Sequence, residues 1–80
     1  MVNYEIDNIH EILIDSIEFV TEKPIDLVKT FYEQNQKRLF IDFLSYYQLD
    51  ADEIENKILT VPRDDFFNFL TDFCRRLNFI

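Results

Sequence analysis

The stretch Glu33-Gln34-Asn35-Gln36-Lys37-Arg38-Leu39-Phe40-Ile41-Asp42-Phe43-Leu44-Ser45-Tyr46-Tyr47, residues 33–47, decides how the rest of the chain is read. It holds no Gly and no Pro, and Gly is absent from all 80 residues. That absence removes the usual left-handed helix stop and the primed hairpin turns, so caps must come from Asn, Asp, Thr and Pro. An all-α fold without a sheet follows. Upstream, Pro24 restricts Lys23 to extended backbone and suits the first turn of a helix, and Ile25, Val28, Phe31 and Tyr32 give that helix an apolar face. From there the pattern runs without a breaker to about Gln48. A break near Asn35 is the alternative reading, because the pattern changes there from amphipathic to apolar on nearly every side. A helix apolar all round is central or faces a partner.

Working outward, the segment from about Asn3 to Thr21 places Ile6, Ile9, Leu13, Ser16, Ile17 and Val20 on one face at helical spacing. Asn3 or Asn8 could cap it, the latter with Glu11 as a capping-box partner. The opposite face carries Asp7, Glu11, Asp15, Glu18 and Glu22, an acidic ridge at one-turn intervals. After the Leu49-Asp50 corner, Asp50 and Glu53 stand at capping-box positions of a short third helix, about Ala51 to Leu59, with Ala51, Ile54 and Ile58 inside. Thr60-Val61-Pro62 turns into a fourth helix striped by Phe66, Leu70, Phe73 and Leu77 and widened by Phe69 and Cys74. Asp64 and Asp65 near its start and Arg75 and Arg76 near its end suit the helix dipole. The expected architecture is a single domain over residues 1–80, a compact antiparallel bundle of four helices, or five if the second breaks.

Composition bounds the class of protein. Hydrophobic residues make up 48% of the chain, which argues against disorder, and no run approaches a membrane span. Early acids interrupt the first hydrophobics, so no secretory signal is expected and the chain reads as cytoplasmic. One Cys cannot form an internal disulfide, so burial must hold a domain that hides only about 60% of its unfolded surface. Nine Phe, four Tyr and ten Ile exceed what so small a core easily hides, which points to a second buried surface, in a self-association or against a partner. The scarcity of Ala beside abundant Ile, Asn, Phe and Lys matches AT-rich coding, as in phages, plasmids and low-GC bacteria.

Catalysis needs convergent groups, and few are offered. His10 is the only histidine, placed at the edge of an apolar face, and Ser16 and Ser45 stand in no nucleophile motif. Cys74 reads as a buried structural thiol. One His and one Cys do not make a zinc centre, and Asp50-Ala51-Asp52-Glu53-Ile54-Glu55 starts like a calcium loop but has Ile54 and Glu55 where a ligand and a turning Gly belong. A chain without Gly has no phosphate-cradling loop, so no metal, cofactor or enzymatic activity is expected. The last two helices could be drawn as a helix-turn-helix, but Asp50, Asp52, Glu53, Glu55, Asp64 and Asp65 would repel a phosphate backbone, so direct nucleic-acid binding is not expected. The ridge is the informative feature. With 16 acids against 8 bases, the net charge of −8 concentrates partly in a row that imitates a nucleic-acid backbone and would steer toward a basic groove. Phe40, Phe43, Tyr46 and Tyr47 are the residue types that anchor interfaces.

Two patches, Ile6-Asp7-Asn8-Ile9-His10-Glu11-Ile12-Leu13 and Asn35 through Phe40-Ile41-Asp42-Phe43-Leu44, resemble the AsiA type of phage anti-sigma protein, a small acidic all-helical inhibitor. The resemblance implies that Ile6, Ile9 and Leu13 form a face for homodimerisation and for capture of the promoter-recognition region of a sigma factor, with Phe43 supporting it. The expected function is a non-enzymatic phage or mobile-element regulator or inhibitor of a basic nucleic-acid-handling protein: RNA polymerase, its sigma factor or a CRISPR effector. Glu11, Asp15, Glu18 and Glu22 would steer, and Phe40, Phe43 and Tyr47 would anchor. The alternatives are a homo-oligomeric structural or assembly subunit and an antitoxin or immunity protein.

Overall fold

The structure, a computed structural model, describes residues 3–80, with side chains from Ile9 onward. Four α-helices follow one another: α1 (Asn3–Thr21), α2 (Ile25–Tyr47), α3 (Ile54–Thr60) and α4 (Arg63–Arg76), with a 3₁₀ turn at Ala51–Glu53 leading into α3. No strand occurs among the described residues, and no helix is long and apolar enough to cross a membrane. The helix α1 starts before Asn8, which therefore does not stand at its N-terminus.

The helix α2 runs unbroken through Asn35. Instead of turning the chain, the Asn35 side-chain amide donates to the Phe31 carbonyl one turn back, at 3.0 Å, so its polarity is absorbed by the helix it sits in. Pro24 and Pro62 open α2 and α4, each accepting the first helical N–H, from Val28 at 3.1 Å and from Phe66 at 3.0 Å. Helix ends are closed without glycine. Glu22, Gln48 and Asn78 take left-handed backbone at φ 57°, 56° and 61°. The Leu49 N–H then reaches the Leu44 carbonyl and the Phe79 N–H the Cys74 carbonyl, at 2.9 and 2.8 Å, the Schellman pattern of a glycine stop on other residues. At the next corner the Asp50 N–H donates to Glu53 Oε1 at 2.8 Å in a capping box. That box closes a 3₁₀ turn rather than the first turn of α3, which leaves Ala51 exposed instead of inside.

An aromatic layer holds α2 and α4 together. Phe31 meets Phe73, ring centroids 6.1 Å apart, while Phe43 meets Phe66 at 6.1 Å and Phe69 at 5.4 Å, so the two helices run antiparallel. Leu13 and Ile17 of α1, Val28 and Leu39 of α2, and Ile58 of α3 complete the core. The Arg63 guanidinium donates to the Ile58 and Val61 carbonyls and lies 4.8 Å from the Phe66 ring, locking the last corner. Phe79 stacks on Phe31 at 4.0 Å and ties the C-terminal end down. The aromatic surplus is therefore largely absorbed within the chain: Phe31, Phe43, Phe66, Phe69 and Phe73 are all buried.

Burial pushes the Cys74 thiol up from its ordinary 9.0 to about 11, and it also raises the Tyr32 hydroxyl. Both groups keep their protons in the folded chain at a pH where the unfolded chain has lost them. Each contribution is complete below the group's ordinary value, pH 9 for Cys74 and pH 10 for Tyr32, and is lost as pH rises above it. Stability should fall by about 1.4 kcal/mol per pH unit for each such proton in that window. Urea midpoints measured from pH 8 to pH 10.5 test this, with Cys74→Ala expected to flatten the onset; an unchanged midpoint would contradict it.

Candidate functional site

On a helix, residues three and four apart stack on one side, and a row that avoids the apolar stripe must face water. Glu11 and Asp15 are exposed and Glu18 partly so, on the side of α1 opposite Leu13 and Ile17. Glu22 is also exposed but sits just past the helix, at its left-handed stop, where its N–H bonds the Glu18 carbonyl at 2.8 Å. Asp7 lies outside the residues whose side chains are described. None of the four described carboxylates pairs with a cation. The ion pairs among the described residues join Arg76 to Asp42 at 3.7 Å and to Asp72 at 3.2 Å, on α2 and α4. The ridge thus meets solvent with its charge uncompensated.

Phe19 flanks this face, 69% exposed and leaning on Phe67 of α4 at 5.1 Å. The sequence reading missed it, although the signal was present: Phe19 falls outside the apolar stripe of α1 and directly follows Glu18.

The proposed aromatic anchors fare differently. Phe43 is 2% exposed and enclosed by Phe66, Phe69 and Tyr47, so it is a core residue and offers no partner a surface. Phe40 is half-buried, its ring parallel to that of His10 at 6.2 Å. Tyr47 is half-buried too, with the Lys57 ammonium 4.9 Å above its ring and its hydroxyl enclosed without a hydrogen-bond partner. Desolvation raises that hydroxyl's pKa, Tyr46 and Asp65 raise it further, and Arg63 opposes them. Tyr46, 65% exposed and resting on Phe69 at 5.3 Å, is the aromatic that remains accessible at this end of α2. The ridge points away from the core into which Phe43 packs, so the steering acids and that anchor do not share one face.

The candidate dimer face is corrected as well. Ile9 and Leu13 are buried, 7% and 1% exposed, in the core that α1 shares with the other helices. Ile6 lies outside the residues whose side chains are described.

Two of the concave regions among the described residues bear on these side chains. A groove of about 340 Å³ between α2 and α4 is floored by Phe69 and rimmed by Asp42, Tyr46, Asp72 and Arg76, whose ion pairs clasp it. A smaller cavity of about 210 Å³ lies where α1, α2 and the start of α3 meet, and His10 lines it. His10 Nδ1 sits 2.6 Å from the Tyr32 hydroxyl, which can donate to a neutral ring or accept from Nδ1–H. The Asp50, Asp52 and Glu53 carboxylates lie within 4.8 Å of one another but are exposed, and two of them already serve the capping box.

Comparison with protein-family models, curated proteins and solved structures finds no match to this chain.

Proposed function

We propose that this chain is a non-enzymatic regulator or inhibitor from a phage or mobile element. It docks the acidic face of α1 on a basic surface of a nucleic-acid-handling protein, such as RNA polymerase, its sigma factor or a CRISPR effector. The observation that carries the reading is the row Glu11, Asp15, Glu18 and Glu22, exposed except for the half-buried Glu18 and without a single ion pair among the described residues. A structural helix face commonly interleaves both signs, whereas this one keeps a single sign on a rigid rod with about 5.4 Å per turn. Such a row attracts a groove built for phosphates, and its pull weakens as salt rises. Phe19 beside the ridge supplies the apolar contact first assigned to Phe43.

The test is capture from the lysate of an AT-rich bacterial host on the immobilised chain, with a salt gradient and identification by mass spectrometry. A basic nucleic-acid-handling protein should elute at moderate salt and be absent from the Glu11→Lys, Asp15→Lys, Glu18→Lys variant. Capture undiminished by that charge reversal would overturn the reading. A basic toxin in the eluate would identify an antitoxin or immunity protein acting through the same face. An empty column with a stable homo-oligomer would identify an assembly subunit.

A further inference from the structure

We infer that the seam of α1 and α4 around Phe19 and Phe67 docks a basic amphipathic helix of the partner protein. This rests on the proposed partner class and adds the shape of the segment that is recognised. Phe19 is 69% exposed, and its ring lies 5.1 Å from that of Phe67, which in turn lies 6.2 Å from the ring of the buried Phe66. The exposed ring thus ends a run of aromatics that starts in the core, and it stands on the surface as an apolar knob with support beneath it.

Carboxylates border this pair on both helices. Asp15 stands four residues before Phe19 and Asp64 three before Phe67, spacings that bring side chains together on a helix surface, and both are exposed. Glu22 follows at the end of α1. No ion pair among the described residues engages these acids, and the cations next to them in sequence are committed elsewhere. Arg63 is held by the Ile58 and Val61 carbonyls, and the Lys23 ammonium lies 5.3 Å from the ring of Phe79. The complement of an apolar centre with a negative rim is an apolar stripe flanked by Lys and Arg.

A helix presents that complement best. No strand occurs among the described residues, so this face has no sheet edge to pair with an extended segment, and recognition falls to side chains. Asp15, Phe19 and Glu22 recur at intervals of about one helical turn, and a helix laid along α1 repeats its own cations and apolar groups at the same spacing of about 5.4 Å.

The probe is a fluorescein-labelled Lys/Leu peptide of about five helical turns with its leucines on one face. A peptide of the same composition, its leucines redistributed so that no face forms, is the control. Anisotropy at about 0.15 M salt should show the patterned peptide binding roughly tenfold more tightly, the gain expected from covering the exposed ring. Phe19→Ser should close that gap, Asp15→Asn with Asp64→Asn should weaken both peptides, and Ile41→Ser, at an equally exposed site on α2, should leave the gap intact. Equal binding of the two peptides, a gap that survives Phe19→Ser or closes in Ile41→Ser, or no binding of either would overturn the proposal. On the lysate column, a basic partner held equally by the native chain and by Phe19→Ser would leave the ridge reading standing and overturn helix docking. Peptide discrimination beside an empty column would support the docking surface and overturn the partner class.

Discussion

Truncating Phe43 to alanine should cost about 3–5 kcal/mol, the range for removing a buried ring. The ring is 2% exposed and sits edge-on to both Phe66 and Phe69, so its loss opens the seam where α2 meets α4. Small single domains have about 5–15 kcal/mol in total, and one of 80 residues belongs near the bottom of that range. Most of the stability should therefore go, visible by circular dichroism in urea as a much lower midpoint or a chain already unfolded in buffer. Tyr46→Ala, three residues along on the exposed edge of the same helix, should change the midpoint by less than about 1 kcal/mol. A fully stable Phe43→Ala variant that had lost only its partner would return Phe43 to the role of anchor.

Leu13→Ala is the second large effect, about 2–5 kcal/mol. At 1% exposure Leu13 belongs to the core of the single chain, and its removal leaves a cavity there. The loss of stability should be the same at every protein concentration. A residue at a dimer face behaves otherwise: its truncation leaves a folded chain of half the native mass, and stability depends on concentration. Denaturation at two concentrations more than tenfold apart, with the native mass measured alongside, separates the cases.

Much of this fold was legible because local chemistry and tertiary structure agree. Pro24 and Pro62 mark the corners where their rings forbid the preceding residue a helical backbone, and the stripe of α4 reads directly as Phe66, Leu70 and Phe73 in the core. The acids of α1 could be placed outside because nothing inside the fold could neutralise so many. The centre of α2 was harder. Leu39, Phe40, Ile41, Phe43, Tyr46 and Tyr47 point in several directions, and only the neighbouring helices decide that Phe43 is enclosed while Ile41 and Tyr46 face water. Asn35 looked like a break because the pattern changes there from amphipathic to apolar on nearly every side, yet the helix runs through it and its amide bonds within the helix.

The left-handed corners at Glu22, Gln48 and Asn78 bear on how readily the domain opens. A side chain in that conformation costs roughly 1 kcal/mol or more relative to glycine, so three helix ends each hold back stability that the core has supplied. A small domain with that handicap opens more often, and each opening exposes the chain to proteases.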